Sequence, residues 1–114
     1  MRATFVELPP FMRHRDTYLD DVAYRQLQDE MMKPPEAGDV IAGTGGLRKL
    51  RYGDRNRGKG KRGGLRVIYY WWVAADQFWL FTLYDKDEAA DLTASERKAL
   101  GALLIRELEA RSTT

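Results

Sequence analysis

The chain has no cysteine and only one histidine in 114 residues. The first absence removes disulfides, thiolate metal sites and cysteine nucleophiles together. The second removes metal sites built on paired histidines and any ribonuclease mechanism that needs two imidazoles. No window of about 18 apolar residues exists, so no transmembrane helix is expected. Residues 1–10 lack an apolar h-region, so no secretory signal is expected, and a reducing, cytoplasmic setting fits. Acidic residues are almost missing from one stretch: between Arg48 and Arg66 the only acid is Asp54.

That stretch holds nine Lys/Arg residues, while the whole chain has a net charge of only +2. Each flank, 1–47 and 67–114, carries five basic and eight acidic residues. The positive charge is therefore concentrated in one Gly-rich place between two apolar runs. A concentrated basic surface on a folded frame is how a protein holds a polyanion. Arg supplies six of the nine cations, the choice where planar, bidentate phosphate contacts matter. A solvated loop is the plain alternative. One sign of charge, continuing into both flanking strands of an otherwise acidic chain, favours phosphate, and RNA most of all.

The length suits one domain over 1–114. Residues 4–8 read as a short strand closed by Pro9-Pro10. Asp16 is the expected N-cap of a helix whose stripe is Leu19, Val22, Ala23, Leu27 and Met31, and which must stop by Lys33 before Pro34-Pro35. Residues 34–46 read as loop, 46–52 as a strand and 53–64 as a basic loop. The segments 65–74 and 77–84 are apolar and aromatic on both faces, the mark of buried strands, joined by a tight hairpin. Thr93-Ala94-Ser95-Glu96 reads as a capping box opening a helix with Leu100, Leu103, Leu104 and Leu108 inward. The expected fold class is α+β: a small antiparallel sheet with packed helices.

Several motifs are set aside. Gly43-Thr44-Gly45-Gly46 leads into a strand rather than a helix, so it is no dinucleotide fingerprint. Gly58-Lys59-Gly60-Lys61-Arg62-Gly63-Gly64 lacks the Lys-Ser/Thr ending of a phosphate loop. His14, between Arg13 and Arg15 in a segment read as loop, reads as a surface residue. Asp85, Asp87, Glu88 and Asp91 read as a solvated run; no metal and no cofactor is assigned. The run Tyr69-Tyr70-Trp71-Trp72 reads first as core. Tyr84, at a strand end, is better placed for function. Its partner depends on the hairpin: a three-residue loop sets it opposite Arg66, a two-residue loop sets Asp85 there.

Gly43-Thr44-Gly45-Gly46-Leu47-Arg48-Lys49, the Gly/Lys/Arg loop, Gly63-Gly64-Leu65-Arg66-Val67-Ile68-Tyr69-Tyr70, Leu83-Tyr84-Asp85-Lys86-Asp87-Glu88 and Asp91-Leu92-Thr93 together resemble the RelE/HigB toxin superfamily. The likeness is to the HigB-type branch of bacterial type II toxin–antitoxin systems, and covers about residues 37–110 in motif and spacing. It implies a microbial RNase-like fold and a metal-independent endoribonuclease that cleaves mRNA on the ribosome, by attack of a ribose 2′-hydroxyl on the adjacent phosphate. It also implies a helix-turn-helix antitoxin as partner. On this chain the matching catalytic positions are Arg48, Lys49, Arg66, Tyr84 and Lys86; Arg51, Arg57, Lys59, Lys61 and Arg62 would hold RNA. An unperturbed tyrosine is a poor base at neutral pH, so for Tyr84 to act as one nearby cations would have to lower its pKa. Two rivals remain: a ParE-like toxin directed at gyrase, and a non-catalytic RNA- or ribosome-binding module.

Overall fold

The computed structural model describes residues 2–53, 64–89 and 91–112. The basic residues Arg55, Arg57, Lys59, Lys61 and Arg62 lie outside the described residues. Strand β1 (Thr4–Glu7) is followed by helices α1 (Pro9–Tyr18) and α2 (Asp21–Met32). Strands β2 (Asp39–Val40), β3 (Arg48–Tyr52), β4 (Leu65–Trp72) and β5 (Gln77–Asp85) come next, then helix α3 (Ala94–Ser112). The strands form one sheet in the order β1-β5-β4-β3-β2. β1 runs parallel to β5, and the other neighbours are antiparallel. The fold is α+β, as expected from the sequence.

β4 and β5 take the central places because both carry apolar residues on their two faces. Phe78 and Trp79 show how alternation serves two cores. Phe78 points to the face covered by α2, against Phe5 at 4.9 Å and Trp71 at 4.5 Å. That core also holds Leu27, Met31, Val67 and Leu80. Trp79 points to the face covered by α3, against Tyr70 at 5.4 Å and Trp72 at 5.1 Å, with Ile68, Phe81, Leu100 and Leu104 around it. The guanidinium of Arg111 lies 4.7 Å from the Trp79 ring and pins the end of α3 to the sheet.

Two expectations are corrected. Pro9-Pro10 does not merely end β1; the pair occupies the first turn of α1, where a missing N–H costs nothing and φ is already set. His14 therefore stands on a helix and not in a loop. The α2 cap is Asp20, not Asp16: Asp20 accepts from the Ala23 backbone N–H at 2.8 Å. The chain breaks at Leu19, which is buried and extended. At the other end of the chain the capping box stands as read. Thr93 N–H donates to Glu96 at 2.8 Å, and Glu96 N–H donates to the Thr93 hydroxyl at 3.1 Å.

Candidate functional site

The sheet brings the charged strand residues into register. Lys49 pairs with Ile68 and Arg51 with Arg66 across β3 and β4. Ile68 pairs with Thr82 and Arg66 with Tyr84 across β4 and β5. Directly opposite residues share a face. Arg51, Arg66 and Tyr84 thus form one row across three strands on the α3 face, with Lys49 and Thr82 in the next row.

The hairpin reaches this register by its own route. Trp72 pairs with Gln77, so the loop has four residues: a 3₁₀ turn, Val73–Ala75, and Asp76 with φ 50°. Continued regularly, that loop would set Leu83 opposite Arg66. Instead the pairing shifts between Ile68 and Tyr69, whose partners are Thr82 and Leu80. Phe81 is the extra residue, a β-bulge that re-aims the rest of the strand.

Arg66 is 4 % exposed, a cation held inside the edge of the core. Its guanidinium donates to the carbonyls of Leu65 and Gly64, at 3.3 and 3.5 Å. Arg51 and Arg66, two groups of like charge, are set opposite one another on the sheet. Tyr84 is half-buried, and its hydroxyl donates to Asp91 Oδ1 at 3.4 Å. The same oxygen accepts from Lys49 Nζ at 3.3 Å and from the Leu92 backbone N–H at 2.8 Å. Asp91 itself is exposed, and the Leu92 N–H, ahead of Lys49, holds its carboxyl below the usual range.

The Tyr84 phenol is pushed up to about 12, chiefly by burial and then by Asp91; Arg66 opposes this only in part. Burial and Asp91 thus work against the lowering that a base role for Tyr84 would require. A phenol in this state keeps its proton at neutral pH.

Not every candidate joins the row. Arg48 pairs with Tyr69 and so faces the α2 side. It donates to the Gly38 and Glu36 carbonyls at 2.9 and 3.1 Å and to the Glu36 carboxylate at 3.0 Å. Lys86 leaves the sheet in the turn after Asp85; its backbone N–H donates to Gly64 at 3.2 Å, and its side chain is exposed. Two participants were missed in the sequence. Asp91 looked like one of a solvated acidic run, and nothing local marks it. His14 lines a cavity of about 150 Å³ together with Tyr18, Thr82, Tyr84, Asp91 and Glu96. Phe11, His14 and Tyr18 recur at helical spacing, a signal that a helix over these residues would have exposed.

Among the described residues no group of three or more His, Asp or Glu side chains is placed to hold a metal ion. No described helix is long and apolar enough to cross a membrane.

No family model matches the chain. Among solved structures, the chain is similar to the E. coli toxin RelE, a double arginine mutant in the free state. The TM-score is 0.52 at 13 % identity, over 79 % of this chain and 90 % of that one. The likeness shows a RelE-like fold.

Proposed function

We propose that this protein is the toxin of a type II toxin–antitoxin pair, an endoribonuclease that cleaves mRNA on the ribosome and so blocks translation. The observation that carries this reading is the row Arg51–Arg66–Tyr84 with Lys49 beside it: cations and one proton donor on a rigid sheet. Cleavage through a ribose 2′-hydroxyl needs stabilisation of charge on the phosphorane and a proton for the leaving oxygen. Arg66, with Arg51 and Lys49, meets the phosphate oxygens. Tyr84, whose phenol stays protonated, supplies the proton. Lys49 is held by Asp91 and must exchange that carboxylate for a phosphate, which the entry of RNA provides. Lys86 sits in the turn beyond the row, where it reaches RNA backbone. Arg48 has no part in the reaction. Arg57, Lys59, Lys61 and Arg62 are assigned to hold RNA backbone.

A site whose cations act mainly by position gains most when the substrate is oriented for it. That is the reason to assign the ribosome as the presenting surface, with free RNA a poor substrate. The antitoxin is a helix-turn-helix protein whose acidic or amphipathic segment covers the basic row.

The test is primer extension on cellular mRNA after induction of the chain. Codon-phased breaks within translated regions are expected. DNA-damage signalling without breaks overturns the reading in favour of gyrase as target, and ribosome binding without breaks reduces it to a binding module.

A further inference from the structure

Resting on the proposed ribonuclease reading, we infer that His14 is the general base of the cleavage, taking the 2′-hydroxyl proton from a ribose seated in the cavity between α1 and the end of β5. The sequence placed this histidine far from the basic segment; the fold sets it in one cavity with Tyr84, the cross-strand partner of Arg66. β1 pairs with β5 only as far as Leu80. Beyond that point α1 packs against β5, and its stripe Phe11, His14, Tyr18 faces it. The Tyr18 hydroxyl donates to Glu88 at 2.8 Å and clasps α1 to the turn after β5. The cavity thus has one fixed wall carrying His14 and another carrying Tyr84. His14 itself is exposed.

The chemistry calls for such a group. Tyr84 keeps its proton and cannot accept a second one, so the attacking hydroxyl needs another acceptor. Imidazole is the side chain suited to accept a proton near neutral pH. A His14 nitrogen takes the 2′-hydroxyl proton as the 2′-oxygen bonds to phosphorus. The bond from phosphorus to the 5′-oxygen breaks, and that oxygen takes the Tyr84 proton. The products are a 2′,3′-cyclic phosphate and a free 5′-hydroxyl. The imidazolium then returns its proton to the tyrosinate through water, and both groups are restored.

The test is single-turnover cleavage of a ribosome-bound mRNA carrying a site cut in cells, with a second version bearing sulfur in place of the scissile 5′-oxygen. Sulfur leaves without a proton, so it bypasses the acid and not the base. His14→Gln is expected to slow cleavage by roughly 100-fold or more, as loss of a general base does. It should also remove the acid-side bend of the pH–rate profile, and sulfur should not rescue it. Tyr84→Phe should be rescued by sulfur. The groups facing His14 are Tyr18, Tyr84, Asp91 and Glu96, with Arg13 and Arg15 beside it on α1. Glu96→Gln serves as the control that a neighbouring charge does not set the bend. Rescue of His14→Gln by sulfur, full activity of His14→Lys, or an unchanged rate and profile in His14→Gln each overturns the inference, while activity lost in Arg66→Ala leaves the ribonuclease reading standing. A wild-type chain that cuts nothing overturns that reading, and the inference with it.

Discussion

Tyr84 stands opposite Arg66 because β5 carries one residue more than β4 between them and the hairpin tip. The bulge at Phe81 turns a phenol, rather than Leu83, toward the buried guanidinium. Burial also makes Arg66 specific in shape as well as charge, since a planar fork matches phosphate oxygens in a way an ammonium does not. Arg66→Lys is therefore expected to lose roughly 10- to 100-fold in cleavage rate and Arg66→Ala more, on the scale of a lost transition-state donor. Tyr84→Phe should lose a similar amount while keeping ribosome affinity within about twofold, because it deletes a proton and little binding surface. Single-turnover rates and ribosome co-sedimentation separate the two effects. Equal loss of both in Tyr84→Phe would remove the proton-donor role.

Asp91 Oδ1 occupies the place of an anion, accepting from Tyr84 and Lys49 at once. A phosphate must compete with it. Asp91→Asn keeps the shape and removes the charge, so RNA affinity should rise a few-fold at low salt, an effect that salt screens. The same change removes the second-largest cause of the raised phenol, after burial. The Tyr84 titration, followed by phenolate absorbance, should therefore move down from about 12 toward the ordinary tyrosine value without reaching it. Weaker RNA binding in Asp91→Asn would show that the carboxylate organises the site rather than blocking it.

Alkaline pH should unfold this protein early. Tyr84, Tyr24 and Tyr69 are all raised above 10.0, each chiefly by burial; Tyr24 is held further by Glu7, to which its hydroxyl donates at 2.6 Å. A raised tyrosine means that the unfolded chain loses its proton first. The linked stability is complete below about pH 10 and drains away as pH climbs through the folded-state values. Melting temperature should thus fall steeply between about pH 10 and 12, and less steeply in Tyr24→Phe. Equal slopes in the two proteins would place Tyr24 outside the linkage.

How much of this was legible depends on how local each signal is. β4 and β5 announce themselves by eight or nine residues of apolar and aromatic character, and the α3 cap by a four-residue motif. Arg66, Lys49 and Arg51 lie on strands whose alternation was readable, so their shared face was within reach. The face on which Arg48 lies is set by the same alternation, and its distance from Tyr84 could have been read from that. The bulge at Phe81 could not, because nothing in the sequence marks which residue a strand will skip. The Asp91 bridge and the His14 cavity are tertiary: they join residues 49, 84 and 91, and residues 14 and 84, through packing that no local pattern encodes. α1 was missed because a proline pair was read as a stop, when at a helix start it is also a beginning.

The opposite face of the sheet carries a latch that should govern stability without touching chemistry. Arg48 and Tyr69 are cross-strand partners, and both reach the segment around Gly38. The Tyr69 hydroxyl accepts from the Gly38 N–H at 3.0 Å and donates to the Pro35 carbonyl at 2.9 Å, while Arg48 donates to the Gly38 carbonyl at 2.9 Å. Gly38 fits because a Cβ there would lie 2.9 Å from the Tyr69 ring. Tyr69→Phe leaves a buried N–H and a carbonyl without their partner, which costs about 1–3 kcal/mol. Arg48→Ala should cost a similar amount, and the double variant less than the sum, since the two groups grip one segment. Denaturant melts measure all three. Below the melting transition Arg48→Ala should cleave mRNA at the wild-type rate, in contrast to Arg66→Ala, although both remove an arginine from the same pair of strands. A fully stable Arg48→Ala variant that has lost cleavage would return this residue to the active row and break the assignment of roles by sheet face.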